Sequence, residues 1–299
     1  YNFKYIADSD RQFGAVCFKV KKNFTYVAFE GTDNLLSGWK EDFELSYKFP
    51  VPAQTLAIEY INKCVRFYDK NVMVGGHSKG GNLALVSSMF AKKLVNKKIK
   101  KIYSNDGPGL RKAEIESDNY KKVRDRLIHI VPNYSYIGVL LRNDKFKVIK
   151  STRRDFMAHS VSTWQTDGTS FKEASLSKIS SNLRESIILW LDEHDDEQRR
   201  KMIETVFEAL EKSGIKDTND FFNIKKSFNI VKNIRNVDDE TKESINMLNS
   251  LNDNNSADLL YDLFYLSEAD YNSLNKTYGN LLVDLIDKDN YSTKKNQKI

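Results

Sequence analysis

The sequence predicts an α/β protein: a mostly parallel sheet within residues 1–170, followed by an all-helical extension over residues 171–299. Short apolar runs alternate with amphipathic stretches in the first part, as in a sheet covered by helices on both faces. Beyond about Gly168 such runs nearly vanish and helical periodicity remains. The charge also changes there. The first part holds 29 basic and 17 acidic residues (net +12), whereas the second holds 18 and 24 (net −6).

The first elements are two strands and a helix. Phe13–Val20 and Phe24–Phe29 are aromatic and β-branched runs separated by three polar residues, which predicts a hairpin or two adjacent strands. Apolar residues then recur at helical spacing from Ala53 to Tyr68, after Pro50 and Pro52. The predicted buried stripe consists of Ala53, Leu56, Ala57, Tyr60, Ile61, Cys64, Phe67 and Tyr68.

The next elements surround a glycine-rich turn. Val72–Val74 is a short, wholly apolar run, as expected of a central parallel strand. The helix after the turn is predicted to carry four apolar residues on one side: Leu83, Val86, Phe90 and Leu94. Three further runs predict strands: Ile102–Ser104, Leu127–Val131 and Phe146–Ile149.

The last third of the chain is predicted to be helical. Asp195–Gly214 has acidic residues at its start, an apolar stripe and a terminal glycine, which are the signals of a capped helix. Further helical periods occur at residues 187–191, 245–251 and 274–286. The last ten residues are polar, and we expect them to be frayed.

The sharpest motif is G-x-S-x-G, at Gly76-His77-Ser78-Lys79-Gly80. In a nucleophile elbow, the serine lies on a tight turn between an apolar strand and a helix. Here Val72–Val74 supplies the strand, and Gly76 and Gly80 remove the Cβ atoms that would crowd the turn. The sequence therefore predicts Ser78 as a nucleophile at a helix N-terminus, where the macrodipole favours negative charge. A glycine-rich turn with an incidental serine is the alternative.

A serine nucleophile needs a base, and the chain has four histidines. His77 lies inside the elbow and is expected to point away. His129 falls within a strand run, where we expect a packed residue, and His194 lies at a helix start in the acidic part. His159 lies in a loop after the last predicted strand, which is where this type of fold places its catalytic base. We therefore select His159, with a surface-loop histidine as the alternative reading.

The acid should lie between the serine and the histidine along the chain. Asp106 ends the strand after the elbow helix, and a carboxylate there can reach a loop histidine. Asp144 is the second choice. Asp106 precedes Gly-Pro and could instead be only a turn residue. The other acids in this interval are Glu114, Glu116, Asp118, Asp125 and Asp155.

An oxyanion hole is the third requirement. The Lys79 backbone N–H is one candidate donor, and the loop after an earlier strand supplies the other. That loop is Glu30-Gly31-Thr32-Asp33, where Thr32 offers an N–H and a hydroxyl. An ordinary turn is the alternative. We expect Trp39 and Phe43 to pack this loop while the charges between them form a local network.

Composition excludes several other classes. No run of about 18 apolar residues could span a membrane, and no leader peptide is visible. Cys17 and Cys64 form neither a disulfide framework nor a zinc motif, so a reducing, cytoplasmic setting is expected. The lysine-rich run at residues 92–101 suits a helix C-terminus better than nucleic acid, because no recognition motif accompanies it. Peripheral contact with a membrane stays open.

These motifs together resemble the Mbeg-like family, a bacterial branch of the α/β-hydrolases, and more distantly the fungal-type lipases. The resemblance covers roughly residues 1–215. It rests on FEGTD, GWKEDF, VPAQ, GGHSKGGNLA, SNDGPGL, VPNYSYIGVLL and the histidine loop ending in Ser162-Thr163-Trp164. It implies an α/β-hydrolase core with Ser78 as nucleophile and a helical C-terminal extension, and it implies that an N-terminal segment of such a domain precedes Tyr1. The chain departs from these families at two positions. Glu30 stands where the family favours Arg, and the residues before Val131-Pro132 are His129-Ile130, whereas the lipases carry their catalytic acid just before a Val-Pro pair.

Two functions follow as hypotheses. The first is a serine hydrolase that cleaves a carboxylic ester or thioester, including lipid-derived ones, through Ser78, His159 and Asp106. The second is a non-catalytic α/β-hydrolase scaffold that binds a partner through its helical C-terminal region. The scattered histidines show no metal-ligand spacing, so neither a metal nor another cofactor is expected. No sequence feature names the acyl group.

Overall fold

The computed structural model of the chain describes residues 2–7, 12–21, 23–33, 35–217, 220, 229, 230, 233 and 237–242. The predicted helical periods at 245–251 and 274–286 lie outside the described residues. The strands are β1 (Asn2–Ala7), β2 (Gln12–Lys21), β3 (Phe24–Phe29), β4 (Asn71–His77), β5 (Ile99–Asn105), β6 (Leu127–Pro132), β7 (Lys147–Ile149), β8 (Thr166–Asp167) and β9 (Ser170–Phe171). The helices are α1 (Leu36–Glu44), α2 (Pro52–Cys64), α3 (Lys79–Met89), α4 (Lys93–Asn96), α5 (Lys112–Ile115), α6 (Asp118–Lys121), α7 (Lys178–Glu193) and α8 (Asp196–Lys212).

Seven strands form one sheet in the order β1-β2-β3-β4-β5-β6-β7. The first three strands pair antiparallel, and β3 to β7 run parallel. The prediction of a mostly parallel sheet is confirmed, as is the hairpin, which is β2 and β3. The edge strand β1 was not predicted. Strand β4 lies between β3 and β5 and is parallel to both. The turn from β4 into α3 therefore lies at the carboxyl ends of central parallel strands, which is a common position for functional sites.

The main core lies between the sheet and the helices α2 and α3. Every residue of α3 is buried, Lys79 and Asn82 included, so this helix has no solvent-exposed polar face. A second apolar cluster joins α1 to α7 and α8 and includes Trp190, Ile203 and Phe207. The predicted helix at Asp195–Gly214 is confirmed as α8, and Asp195 and Gln198 form its capping box.

Two predicted apolar stripes run too far along the chain. Helix α2 ends at Cys64, because Val65 is extended and the Asp69 carboxylate accepts a hydrogen bond from the Arg66 N–H at 2.7 Å. Helix α3 ends at Met89, and the Asn62 side chain accepts from the Lys92 N–H at 2.8 Å. Phe67 is therefore 91% exposed and Tyr68 55% exposed, and the prediction that they are buried is wrong. Leu94, predicted to lie on one side of the elbow helix, is instead in α4 and is 74% exposed.

Candidate functional site

Ser78 lies on the tight turn between β4 and α3. Its backbone has φ 56° and ψ −134°, which is strained for a residue with a side chain, and its N–H donates to the Asn105 carbonyl at 3.0 Å. A Cβ on Gly76 would lie 2.3 Å from the Gly80 carbonyl carbon, and one on Gly80 would lie 2.3 Å from the Phe29 oxygen. Only glycine fits at both positions, so the local geometry is that of the predicted elbow.

His159 contacts Asp106 across the carboxyl edge of the sheet. Its Nδ1 lies 2.6 Å from Oδ2 of Asp106, which is completely buried after the end of β5. The other carboxylate oxygen, Oδ1, accepts hydrogen bonds from Ser135 Oγ at 2.5 Å and from the Gly138 N–H at 3.0 Å. Both oxygens are thus held, which fixes the carboxylate toward the imidazole. Asp144, the second choice for the acid, is exposed, and among the described residues it has no hydrogen bond to His159.

His77 also contacts His159. Its Nε2 lies 2.8 Å from the His159 carbonyl oxygen, and the two rings are 4.2 Å apart. The expectation that His77 points away is wrong, because the end of β4 faces the 3₁₀ turn at Phe156–His159. Burial, and then the proximity of His159, lower the pKa of His77 below its usual value. A neutral His77 imidazole therefore supports the loop that carries His159.

Lys79 extends into a buried ion pair behind the elbow. Its side chain is 1% exposed, and its Nζ lies 2.9 Å from Glu41 Oε2 and 3.7 Å from Asp42 Oδ1. Burial alone would lower the pKa of Lys79, but Asp42 and Glu41 outweigh it and raise that pKa. The Thr32 hydroxyl donates to the Asp42 carboxylate, which ties the loop after β3 to α1. This is the local charge network that the sequence predicted.

The two aromatic residues of α1 contact rings from the second half of the chain. The Trp39 ring lies 6.2 Å from that of Phe156, and the Phe43 ring lies 5.5 Å from that of Phe207 in α8. They therefore join α1 to the His159 loop and to the C-terminal helices.

Ser78 and His159 line one cavity of about 330 Å³. Thr32, Asp42 and Lys79 lie on the same wall. Most of the remaining wall is apolar and comes from α1, the loop after β6, α7 and α8. It consists of Trp39, Phe43, Pro108, Ile137, Leu140, Leu141, Phe156, Ile187, Trp190, Met202 and Ile203. A polar corner beside an apolar space is the usual form of a small-molecule site.

His129 is packed, as expected. It is 6% exposed, its ring lies 5.9 Å from that of Phe146, and its Nε2 has no hydrogen-bond partner among the described residues. Burial lowers the pKa of His129 to about 4, so the imidazole is neutral at pH 7. Ser78 and His159 line the same cavity, and His159 contacts Asp106. A serine, an imidazole and a carboxylate are the groups that nucleophilic acyl transfer uses.

Comparison with known proteins places the chain in a family. The Mbeg1-like family profile matches residues 2–208, more than half of the chain. The chain belongs to the Mbeg1-like family. The Mbeg1-like match includes α7 and most of α8, so it continues past residue 170, and the division of the chain into residues 1–170 and 171–299 stays a prediction.

One solved structure is also similar to this Mbeg1-like protein. Its title is "Crystal structure of M37 lipase", and it is 15% identical with a TM-score of 0.31. The match covers 43% of this chain and 50% of the lipase chain, so the chain spans half the length of that relative. No curated protein matches the chain.

Several site residues of this family member were missed from sequence alone. Ser135 and Gly138 hold Asp106, and both lie in the VPNYSYIGVLL segment, whose distinct motif was the available signal. The cavity wall also includes Ile187, Trp190 and Met202, from α7 and α8. Helical periodicity shows which side of a helix is apolar, but it does not show what that side packs against. Within the described ranges, no cluster of His, Cys, Asp and Glu could hold a metal ion, and no helix has the length and apolarity to cross a membrane.

Proposed function

We propose that this Mbeg1-like protein is a serine hydrolase that cleaves a carboxylic ester or thioester through an acyl-enzyme. The observation that carries the proposal is the 2.6 Å contact between His159 Nδ1 and the buried Asp106 carboxylate, beside Ser78 in one cavity. A buried carboxylate that faces an imidazole fixes its tautomer and stabilises the imidazolium.

In the proposed reaction, Ser78 Oγ forms a bond to the carbonyl carbon while His159 Nε2 accepts the serine proton. The tetrahedral intermediate then collapses, and the bond to the alcohol or thiol breaks as His159 returns the proton to that leaving group. Water repeats both steps on the acyl-Ser78 ester, which releases the carboxylic acid and restores the hydroxyl. Asp106 stays ionised throughout and stabilises the imidazolium formed in each step.

The proposed oxyanion hole consists of two backbone N–H groups. Lys79 is the first residue of α3, so its N–H has no partner within the helix and lies at the positive end of the dipole. Thr32 supplies the second donor. Its hydroxyl already donates to Asp42, so the backbone N–H is the group of Thr32 that remains for the oxyanion. The Lys79–Glu41–Asp42 ion pairs, through Thr32, therefore set the position of the second donor.

The apolar part of the cavity supports a hydrophobic acyl group. The whole cavity, polar and apolar parts together, has a volume of about 330 Å³, which is several times the ~30 Å³ that one water molecule takes up in the liquid. A medium-length acyl chain fits such a space, with its carbonyl at Ser78 and its methyl end toward Trp190 and Met202. Lipid-derived esters and thioesters carry chains of this kind.

The test is hydrolysis of p-nitrophenyl esters from acetyl to palmitoyl. We expect kcat/KM to peak at medium chain length in wild type and to fall to background in Ser78→Ala. Met202→Trp fills the cavity and should lower kcat/KM for the preferred ester roughly tenfold while sparing the acetyl ester, since each lost methylene contact contributes about 1–3 kcal/mol. Leu189→Trp, on the exposed side of α7, is the matched control. Equal rates for wild type and Ser78→Ala would contradict the proposal.

A further inference from the structure

The amino ends of β4 and β5 carry a second notable surface, at the opposite end of the sheet from Ser78. The segments at residues 65–70 and 90–98 precede these neighbouring parallel strands, so they lie side by side. The Lys98 ammonium joins them, because it donates to the carbonyl oxygens of Arg66 at 2.8 Å and Phe67 at 2.9 Å. They form one continuous surface.

Three large apolar side chains project from this surface. Phe67 is 91% exposed, Leu94 74% and Tyr68 55%. The Phe67 and Tyr68 rings contact each other edge to face, 5.2 Å apart, so they form one apolar knob. Single exposed apolar residues are common, whereas apolar side chains grouped on one surface mark an interaction site.

Exposed cations lie on the same two segments and at the start of β5. They are Arg66, Lys70, Lys92, Lys93, Lys97 and Lys100. No carboxylate of the described residues forms an ion pair with any of them. Asp69, the acid within the 65–70 segment, is buried and already paired with Lys19. We call the cations, Phe67, Tyr68 and Leu94 the amino-end surface.

The amino-end surface is held in place rather than loosely attached. The Asp69 carboxylate accepts hydrogen bonds from Thr25 Oγ1 at 2.8 Å and from the Arg66 N–H at 2.7 Å. Burial opposes ionisation of Asp69, but its hydrogen bonds with Lys19, Arg66 and Thr25 lower its pKa. On the other segment, Arg126 donates to the carbonyl oxygens of Asn96 and Ile99. Presentation of the apolar groups therefore costs little ordering entropy on binding.

We propose that the amino-end surface binds the surface of an anionic lipid bilayer. Aromatic and aliphatic groups enter the interfacial region, while surrounding lysines are attracted to anionic headgroups. Single-stranded nucleic acid is the competing occupant, because the exposed Phe67 ring could stack on a base; the aliphatic Leu94 has no ring for stacking and favours the bilayer.

This docking geometry faces Ser78 away from the bilayer. The seven residues of β4 separate the two ends of the sheet, which at ~3.3 Å per residue is about 23 Å. The proposal is independent of the hydrolase activity, and Ser78→Ala should bind vesicles as wild type does.

The experiment is co-sedimentation of the full chain with vesicles of phosphatidylcholine, with or without about 30% phosphatidylserine, at about 0.1 M and about 0.5 M salt. We expect binding to the anionic vesicles that weakens at high salt. Lys92→Glu/Lys93→Glu/Lys97→Glu should weaken it at least roughly tenfold, and Phe67→Ser/Leu94→Ser should weaken it by about tenfold. The controls, Lys112→Glu/Lys145→Glu/Lys150→Glu and Ile179→Ser/Leu189→Ser, change exposed residues elsewhere and should bind as wild type does.

Three results would overturn the proposal. One is absence of binding to anionic vesicles by the folded wild type, with folding checked by circular dichroism. Another is equal loss in the controls, which would indicate a general charge effect. The third is tight binding of a single-stranded oligonucleotide that depends on Phe67 and Leu94 while vesicles do not bind, which would assign the surface to nucleic acid.

Discussion

The two ends of β4 and β5 hold their charged groups in opposite ways. At the carboxyl ends, Lys79 and Asp106 are 1% and 0% exposed, and each has a partner that compensates or orients it. At the amino ends, Lys93 and Lys97 are exposed, and no carboxylate of the described residues pairs with them. A buried charge is tolerated only when its surroundings fix it, whereas an exposed lysine is free to meet a partner. The first arrangement suits chemistry at defined distances, and the second suits association with a surface.

The largest effect is expected at Asp106. Asp106→Asn keeps the size of the side chain but replaces a carboxylate that stabilises the His159 imidazolium. We expect kcat for the preferred ester to fall about 10⁴-fold. Asp144→Asn is the control, since Asp144 is an exposed acid with no hydrogen bond to His159 among the described residues. If Asp106→Asn keeps more than about a tenth of wild-type kcat, Asp106 is not the orienting acid.

The second effect compares the two ends directly through stability. Lys79→Met leaves Glu41 and Asp42 without their cation, and breaking a buried pair in this way costs about 3–5 kcal/mol. Lys93→Met removes an exposed lysine and should change the free energy of unfolding by less than about 0.5 kcal/mol. Urea denaturation of both variants measures the difference. Similar stabilities for the two would mean that the buried network is not compensating the Lys79 charge.

A smaller effect is expected from His129 as the pH falls. Its pKa is about 4 in the folded chain and about 6.5 in the unfolded chain, so between these values the unfolded chain binds the extra proton. The free energy of unfolding is therefore unaffected by His129 above pH 6.5 and falls as the pH decreases toward 4. The loss at pH 5 is about 2 kcal/mol. His129→Leu should reduce the stability difference between pH 7 and pH 5 by about that amount. An unchanged pH dependence in urea denaturation would show that His129 titrates normally.

Much of the fold and part of the site could be predicted from local sequence patterns. The hairpin, β4 and the elbow each depend on contiguous residues, such as the glycines that flank Ser78. The capping box of α8 is equally local. The selection of His159 and Asp106 used only chain order and strand ends, and the structure brings these two side chains together.

The rest depended on contacts between distant residues. Helical spacing continued through Phe67 and Leu94, but Asp69 and Asn62 end those helices by bonding the backbone, and periodicity does not register such bonds. The position of His77 depends on the path of the loop that carries His159. The apolar cavity wall comes from α7 and α8, which lie about 100 residues after the elbow, so no local pattern could place them there.

The central claim is that His159 activates Ser78 as a nucleophile, and reaction with a fluorophosphonate probe tests it most directly. Intact mass and peptide mapping should show one phosphonate per folded wild-type chain, on the peptide that contains Ser78. Ser78→Ala should stay unlabelled, and His159→Asn should react at least about a hundredfold more slowly. Equal labelling of wild type and Ser78→Ala, or no labelling of a folded wild type, would contradict the claim.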